Sequence, residues 1–327
     1  MDSQQFSVVF SELMRYLPHL SGQQSETLRT LLERDGPLIQ CLAIIEERGA
    51  HMRQCPHCAA ARIYKHGMSA GLQRYLCLGC RKSFNALTGT PLARLRLREK
   101  WLPYLQCMID SKTVRASAAA TGIHRNTSFR WRHRFLADAK RQRAVPLQGI
   151  VEADETYRLE SQKGSRHLTR PARRRGGHAG RRGITSEHDC ILVARDRGGA
   201  TVDFVTGRGP VTKKQLLACL PKVLAADVLL VTDGAAAYPA FATAQRILHE
   251  AVNISAGIRT RGAIHVQNVN RYHSHFKTWL TRFNGVASRY LPNYLGWLYG
   301  RDGNRISTPA DFLRASLLMD GKTLSQE

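Results

Sequence analysis

Two C-x-x-C pairs lie close together in the chain, "CPHC" at 55–58 and "CLGC" at 77–80, with eighteen residues between them. Few sequence features restrict a fold as tightly. Four thiolates delivered by two such turns surround one tetrahedral zinc ion, and the metal supplies folding energy to a module too small for a core of its own. Cys55, Cys58, Cys77 and Cys80 are therefore expected to hold one structural Zn2+ in a zinc ribbon. The intervening residues read as a hairpin, with Ile63-Tyr64-Lys65 and Gln73-Arg74-Tyr75 as strands and a glycine-containing turn between them. A redox C-x-x-C would not come as a matched pair. Cys41, Cys107, Cys190 and Cys219 sit in apolar contexts such as "LIQCLAII" and read as small buried residues.

Charge narrows the partner. The chain has 327 residues, an ordinary 43% of them hydrophobic, but 49 Lys and Arg stand against 25 acids for a formal +24. Such an excess calls for a polyanion, and nucleic acid is the default, with a membrane surface the lesser alternative. No segment approaches the roughly 20 apolar residues of a membrane span, and "MDSQQFSVVF" lacks the basic, then apolar, run of a signal peptide. The expectation is a cytoplasmic, nucleoid-associated protein with no membrane partner.

The length allows two or three domains. Residues 1–50 read as helices, including a glycine-bounded one over "GPLIQCLAIIEERG". Residues 51–92 form the expected ribbon. Over 93–140 the pattern resolves into a helix-turn-helix: "EKWLPYLQCMID", then "TVRASAAATG" ending at Gly122, then "HRNTSFRWRHRFL" with Asn126 or Thr127 near its N-cap. Arg125, Asn126, Ser128, Arg130 and Arg132 are expected to face DNA, with Trp131 and Phe135 packed inward. A three-helix bundle with a basic surface is the plainer alternative. The basic linker "KRQRAVPLQG" follows at 140–149.

From 148 to 305 strands alternate with helices, the pattern of a mixed sheet with helices packed on it. Strands are expected at "GIVEADETYRLE", "CILVARDR", "TVDFVTG", "DVLLVTD" and "ILHEAVN". Helices are expected at "TKKQLLACLPKVL", "AAAYPAFA", "AIHVQNVNRYHSHFKTW" and "YLPNYLGWLYG", and residues 306–327 read as a C-terminal tail. Residues 161–186 carry eight Lys/Arg, five Gly and no acid, and read as a loop without a core. In it Arg173, Arg174, Arg175, Arg181 and Arg182 are expected to grip phosphates; a basic linker of no specific role is the alternative.

Acids at strand ends need a reason in so basic a chain. Alternation puts Glu152 and Asp154 on one side of the first long strand, and Asp233 ends the apolar strand "DVLLVTD" just before Gly234. Carboxylates at the ends of neighbouring strands hold Mg2+ or Mn2+, and a pair of such ions activates an attacking oxygen and stabilises a leaving one in phosphodiester transfer. Beyond Asp233 no acid lies on a helix with suitable companions. The helix containing "VQNVNRYHSHFKTW" instead runs an apolar stripe, Val266, Val269, Phe276, Leu280 and Phe283, beside a polar one, Asn270, Ser274, Lys277 and Thr281. His273 and His275 are left without a role.

The ordered set "CPHC…CLGC", the helix-turn-helix, "DETY", "VTDG..AY" and "HVQNVNRYHSHFKTWL..FNGVASRYLPNYLGWL" resembles the bacterial insertion-sequence transposases of the insertion-sequence 1595 family, over about residues 50–300. The resemblance implies an RNase H-like catalytic domain of the DDE type. In this family the third acidic position is Glu or Asn, followed seven residues later by Lys. By motif, the catalytic set becomes Asp154, Asp233, Asn270 and Lys277, with the first three holding two Mg2+ or Mn2+ ions. An Asn oxygen is a neutral, weaker ligand than a carboxylate. Lys277 is then placed to meet a phosphate.

The implied function is a transposase that binds the terminal inverted repeats of an insertion sequence and catalyses metal-dependent cleavage and strand transfer. The implied partners are the double-stranded DNA of element ends and target, with a homodimer or larger assembly pairing the two ends. The alternatives are a catalytically inactive transposase-derived DNA-binding protein or regulator, which Asn270 favours, and a nuclease that cuts without joining.

Overall fold

The computed structural model describes residues 3–139, 146–174, 176–252, 262–303 and 305–318. The chain divides into two compact units, Met1–Cys107 with Thr308–Met319, and Met108–Ser307 with Asp320–Glu327. The division falls inside the segment expected to be one helix-turn-helix domain. It passes through α3 (Trp101–Ile109) and leaves α4 (Val114–Thr121) and α5 (Arg125–Ala139) in the second unit.

In the first unit, α1 (Ser3–Tyr16) precedes α2 (Gly22–Ala50). Ser21 starts α2 with a capping box: its side chain accepts from the Gln24 backbone while the Gln24 side chain accepts from Ser21 N–H. The glycine expected to bound the second helix does not stop it. Gly36 and Pro37 lie within α2, which runs through them. Next comes a three-stranded antiparallel sheet of β1 (Ile63–Ser69), β2 (Leu72–Cys77) and β3 (Ser83–Asn85). Lys65 pairs with Tyr75 as the hairpin reading requires, and a bulge follows between Lys65 and Met68. The expected tail is in part a helix: α10 (Pro309–Ser316) is capped by Thr308 and Asp311, and its Arg314 reaches Glu47 of α2 at 3.2 Å. Residues 319–327 of the tail lie outside the described residues, as do 140–145 of the linker.

The second unit is built on a five-stranded mixed sheet. Its strands are β4 (Ile150–Leu159), β5 (His188–Asp196), β6 (Thr201–Arg208), β7 (Leu229–Thr232) and β8 (Leu248–Ala251), in the order β6-β5-β4-β7-β8. Pairs β4–β5 and β5–β6 are antiparallel, while β4–β7 and β7–β8 are parallel. All five strands and the helices between them lie where the alternating pattern puts them.

Period-two alternation assigns the two faces. Val151, Ala153 and Leu230 point to one side, where Leu216 and Leu220 from the region of α6 (Lys213–Cys219) and Tyr238 and Phe241 of α7 (Ala237–Gln245) close over them. Ile150, Leu229 and Val231 point to the other side and pack with Val252, Ile264 and Val266. On that side α8 (Gln267–Thr281) buries Val269, Tyr272, His273, Phe276, Trp279 and Leu280, and α9 (Leu291–Asp302) buries Tyr294, Trp297 and Leu298. Burial of this many apolar side chains on both faces of a sheet is the main source of the fold's stability.

Candidate functional sites

The four cysteines come together. Their sulfurs all lie within 4.8 Å of one another, with Cys55–Cys80 at 3.7 Å and Cys58–Cys77 at 3.6 Å. Zinc–thiolate bonds of about 2.3 Å in a tetrahedron put sulfurs about 3.8 Å apart, so the donor set fits Zn2+ in both chemistry and spacing. Backbone N–H groups already turn toward the sulfurs, His57 N–H to Cys55 at 3.4 Å and Cys80 N–H to Cys77 at 3.5 Å. The Cys80 amide helps draw the Cys77 thiol down to about 7, which favours the metal-binding thiolate. Beneath the knuckles Cys55, Cys77 and Phe84 are buried, with Tyr75 stacked on Phe84 at 5.6 Å.

In the sheet unit, the acids gather where the pairing of the two interior strands β4 and β7 ends. The parallel register pairs Glu152 with Val231, so two residues further on Asp154 stands level with Asp233 on the same face. Asp233 leaves β7 into Gly234, whose φ of +88° is a left-handed conformation that a side chain would strain. This turn holds the Asp233 carboxylate at the strand's carboxyl end, where Oδ1 accepts from Ala235 N–H at 3.1 Å.

Glu152 and Asp154 share a face but not a role. Glu152 is fully buried, and its oxygens accept from Asn268 N–H at 2.8 Å, Asn268 Nδ2 at 2.8 Å and Val269 N–H at 3.1 Å. It also pairs with Arg197 at 2.7 Å. These two amides belong to the first turn of α8, whose N-cap, Val266, offers no side-chain acceptor. A strand carboxylate thus caps a helix more than a hundred residues away, and its negative charge meets the positive end of the helix dipole. The cap fixes the phase of α8. Further along, Tyr272 donates to Asp203 of β6 at 2.6 Å, which pins the same helix across the sheet.

With α8 so placed, His273 faces Asp154, Nδ1 to Oδ2 at 3.8 Å. Asn270 and Lys277 lie three residues before and four after His273, on the same side of the helix. Burial, then the neighbouring Asp233 charge, push the Asp154 carboxyl up to about 7, while the Glu155 amide and Lys277 pull against them. Glu155, on the opposite face of β4, is also pushed up to about 7, first by burial and then by Asp154 and Asp233. It accepts hydrogen bonds from the hydroxyls of Tyr238 and Tyr157. The "DETY" and "DGAAAY" stretches are therefore joined through Glu155 and Tyr238, directly behind the acid pair. Two carboxylates that hold each other's charge in check are donors of the kind a divalent cation binds.

Residues 146–298 match the ISXO2-like transposase domain. Over 246 residues the chain is 29% identical to the uncharacterized protein in transposable element ISH50 of Halobacterium salinarum, covering 74% of this chain and 82% of that protein. Among solved structures, one chain of a pre-cleavage Mos1 transpososome aligns at 13% identity and a TM-score of 0.21, over 66% of this chain and 78% of that one. So slight a structural likeness carries no weight beside the family match.

The helices ahead of the transposase domain divide the expected DNA-facing residues. On α5, Arg125, Asn126 and Arg130 are exposed. Ser128 and Arg132 are not, which corrects the expectation that they face DNA. Ser128 is fully buried and its Oγ donates to the Val114 carbonyl at 2.8 Å, tying α5 to α4. Arg132 is 1% exposed, donates to the Lys112 carbonyl at 2.6 Å and lies over the rings of Trp297 and Phe283 at 5.2 and 5.4 Å. Asn126 and Thr127 lie in the first turn of α5, near its N-cap as expected, and His124 Nδ1 accepts from Asn126 N–H at 3.2 Å.

The arginine-rich segment inserted into the transposase domain is held by acids just outside its ends. Glu160 accepts from Arg170 and Arg208, each at 2.8 Å, and Arg173 pairs with Glu187 and donates to the Glu160 carbonyl. Arg173 thus anchors the segment instead of projecting from it. Arg174, Arg181 and Arg182 are exposed, and Arg175 lies outside the described residues. A cleft of about 530 Å3 opens beside α8, lined by Arg195, Asn268, Arg271, Tyr272, His275 and Asp302; neither acid of the pair lines it. Among the described residues no helix is long and apolar enough to cross a membrane.

Sequence reasoning passed over His273, Glu155 and the capping role of Glu152. The signal for Glu152 was present in its shared strand face with Asp154. Nothing local separates the two acids, because the group that satisfies Glu152 comes from α8.

Proposed function

We propose that this protein is an active insertion-sequence transposase with an RNase H-like catalytic domain. It would bind element ends through α4, α5, the ribbon and the exposed arginines of the 161–186 segment. The observation that carries the reading is the closeness of Asp154, in mid β4 just past its pairing with β7, to Asp233 at the carboxyl end of β7, with His273 and Lys277 of α8 beside Asp154.

Asp154, Asp233 and Asn270 would hold Mg2+ or Mn2+. Bound there, divalent ions supply a Lewis acid that activates the attacking oxygen and neutralises charge on the phosphate. The protein's own groups do the rest. The carboxylates must be ionised to hold the cation, so activity falls as acid restores the Asp154 proton. Glu152 holds α8 in phase, and Lys277 meets a non-bridging phosphate oxygen. Water attacks the phosphorus at the element end, breaks its P–O3′ bond and releases a 3′-hydroxyl; that hydroxyl then attacks a target phosphorus and displaces the target strand's own 3′-oxygen. No covalent enzyme intermediate is needed. The pairing of two ends calls for a dimer or larger assembly on DNA. Strand-transfer assays on a labelled inverted-repeat end test the proposal: joined products that vanish in Asp233→Asn support it, and cut ends without joining would instead favour a nuclease.

A further inference from the structure

Phe129 is a large apolar side chain in a polar place. It lies on the outward side of α5, one turn from Arg125 and Asn126 and next to Arg130, and is 39% exposed. The one acid of α5, Asp138, is buried, so that side of the helix carries cations and neutral groups alone. The inward side has its own apolar set in Trp131, Phe135 and Leu136, all buried. A phenyl ring left in water gives up the free energy that burial would bring.

Neighbouring rings fix where Phe129 sits. It meets His133 edge-on with centroids 4.7 Å apart and Tyr290 edge-on at 5.6 Å, while His133 and Tyr290 stack at 3.7 Å. Asn293 of α9 donates to His133 Nδ1 at 3.3 Å. Burial, then the charges of Arg132 and Arg289, lower His133 to about 4, so this ring stacks as a neutral group. Tyr290 ends a short 3-10 turn, Ser288–Tyr290, whose Ser288 hydroxyl donates to Asp189 of β5. The guanidinium of the exposed Arg289 lies over the Tyr290 ring, 4.8 Å from its centroid. A turn tied to the sheet thus brings a further cation to the aromatic cluster that holds Phe129.

Cations without acids suit a polyanion, but a phenyl ring among them needs an apolar partner. In the major groove the base edges offer hydrogen-bonding groups and one apolar group, the C5 methyl of thymine, which an aromatic side chain can meet.

We propose that Phe129 reads a thymine methyl in the major groove of the element end, and that Arg289 grips a backbone phosphate beside it. The inference rests on the reading above that α5 binds element ends. Its consequence is a DNA surface shared between α5 and the Ser288–Tyr290 turn of the sheet region, with base readout from the first and phosphate contact from the second.

The test measures binding of full-length, zinc-loaded protein to a labelled inverted-repeat duplex in which each thymine in turn is replaced by deoxyuridine, which lacks only the methyl. Wild type should bind about fourfold more weakly at one such position, the worth of one buried methyl. Phe129→Ala should bind the all-thymine duplex more weakly and lose the distinction between thymine and uracil at that position alone. Arg289→Ala should weaken binding to inverted-repeat and scrambled duplexes alike, and lower the slope of log affinity against log salt by about one. A cooperative melt confirms that each variant folds; Phe129→Gln serves if Phe129→Ala does not. If Arg130→Ala weakens end binding yet wild type is indifferent to every uracil, the inference is overturned while α5 remains the reading helix. Thymine preference that persists in the Phe129 variants, or an unchanged salt slope in Arg289→Ala, also overturns it. End binding untouched by both Arg125→Ala and Arg130→Ala overturns the α5 reading and this inference together.

Discussion

Glu152 and Asp154 are two carboxylates on one face of one strand, separated by a single alanine, and the protein treats them in opposite ways. Glu152 receives three hydrogen bonds and a guanidinium and is fully buried. Asp154 faces another carboxylate and a histidine out of hydrogen-bond range, and its proton is held up to about 7. The first arrangement is finished within the chain. The second is finished only by something from outside. A buried charge that is fully paired does structural work; one left in electrostatic tension marks a place where a ligand is expected.

Substitution should break this contrast most sharply at Asp154. Asp154→Asn is expected to reduce strand cleavage about a thousandfold or more, the equivalent of several kcal/mol of lost charge stabilisation, with end binding retained in a gel-shift assay. Glu152→Ala is expected to act first on folding. It leaves Arg197 and two α8 amides without their acceptor, at a cost of about 2–4 kcal/mol in denaturant unfolding, and activity falls because α8 loses its phase. Glu152→Gln should recover much of the stability; a Glu152→Ala protein as stable as wild type would show that the cap is unimportant.

The buried and exposed arginines of α5 repeat the contrast. Arg132→Ala should lower stability by about 2–3 kcal/mol through its lost carbonyl bond and ring contacts. Arg130→Ala should change stability by less than about 0.5 kcal/mol and weaken DNA binding in a salt-dependent way. The opposite ranking would reverse the assignment of the helix faces.

A smaller effect sharpens the comparison through pH. Asp154 is raised by folding, so over the range from ordinary carboxylate values to about 7 the folded protein keeps a proton that the unfolded chain has lost. Its contribution to stability therefore falls as pH rises through that range. In magnesium-free buffer, wild type should lose melting temperature relative to Asp154→Asn between about pH 4 and 7, and level off above. Saturating Mg2+ should restore about 5 °C to wild type at pH 8 and little at pH 5. A flat difference across pH would mean that Asp154 is not strained.

Much of this was legible before the fold. The paired knuckles, the strand and helix order and the Asn270–Lys277 ridge all rest on local spacing, which a sequence displays directly. What stayed hidden depends on distant partners. Whether Glu152 or Asp154 is satisfied turns on α8, and whether Arg132 is a surface cation turns on the Lys112 carbonyl just before α4 and on the rings of Phe283 and Trp297. In so basic a chain every arginine looks like a DNA contact. The arginine-rich segment misled in a similar way: counted alone it has no acid, yet Glu160 and Glu187, immediately beyond its ends, hold it down.

The most direct test is cleavage of a labelled inverted-repeat end with Mg2+ or Mn2+ by wild type, Asp154→Asn and Asp233→Asn, each checked for folding and end binding. The account predicts cut and joined DNA from wild type and neither product from either variant, with binding intact in all three. Products from Asp154→Asn or Asp233→Asn at the wild-type rate would contradict it.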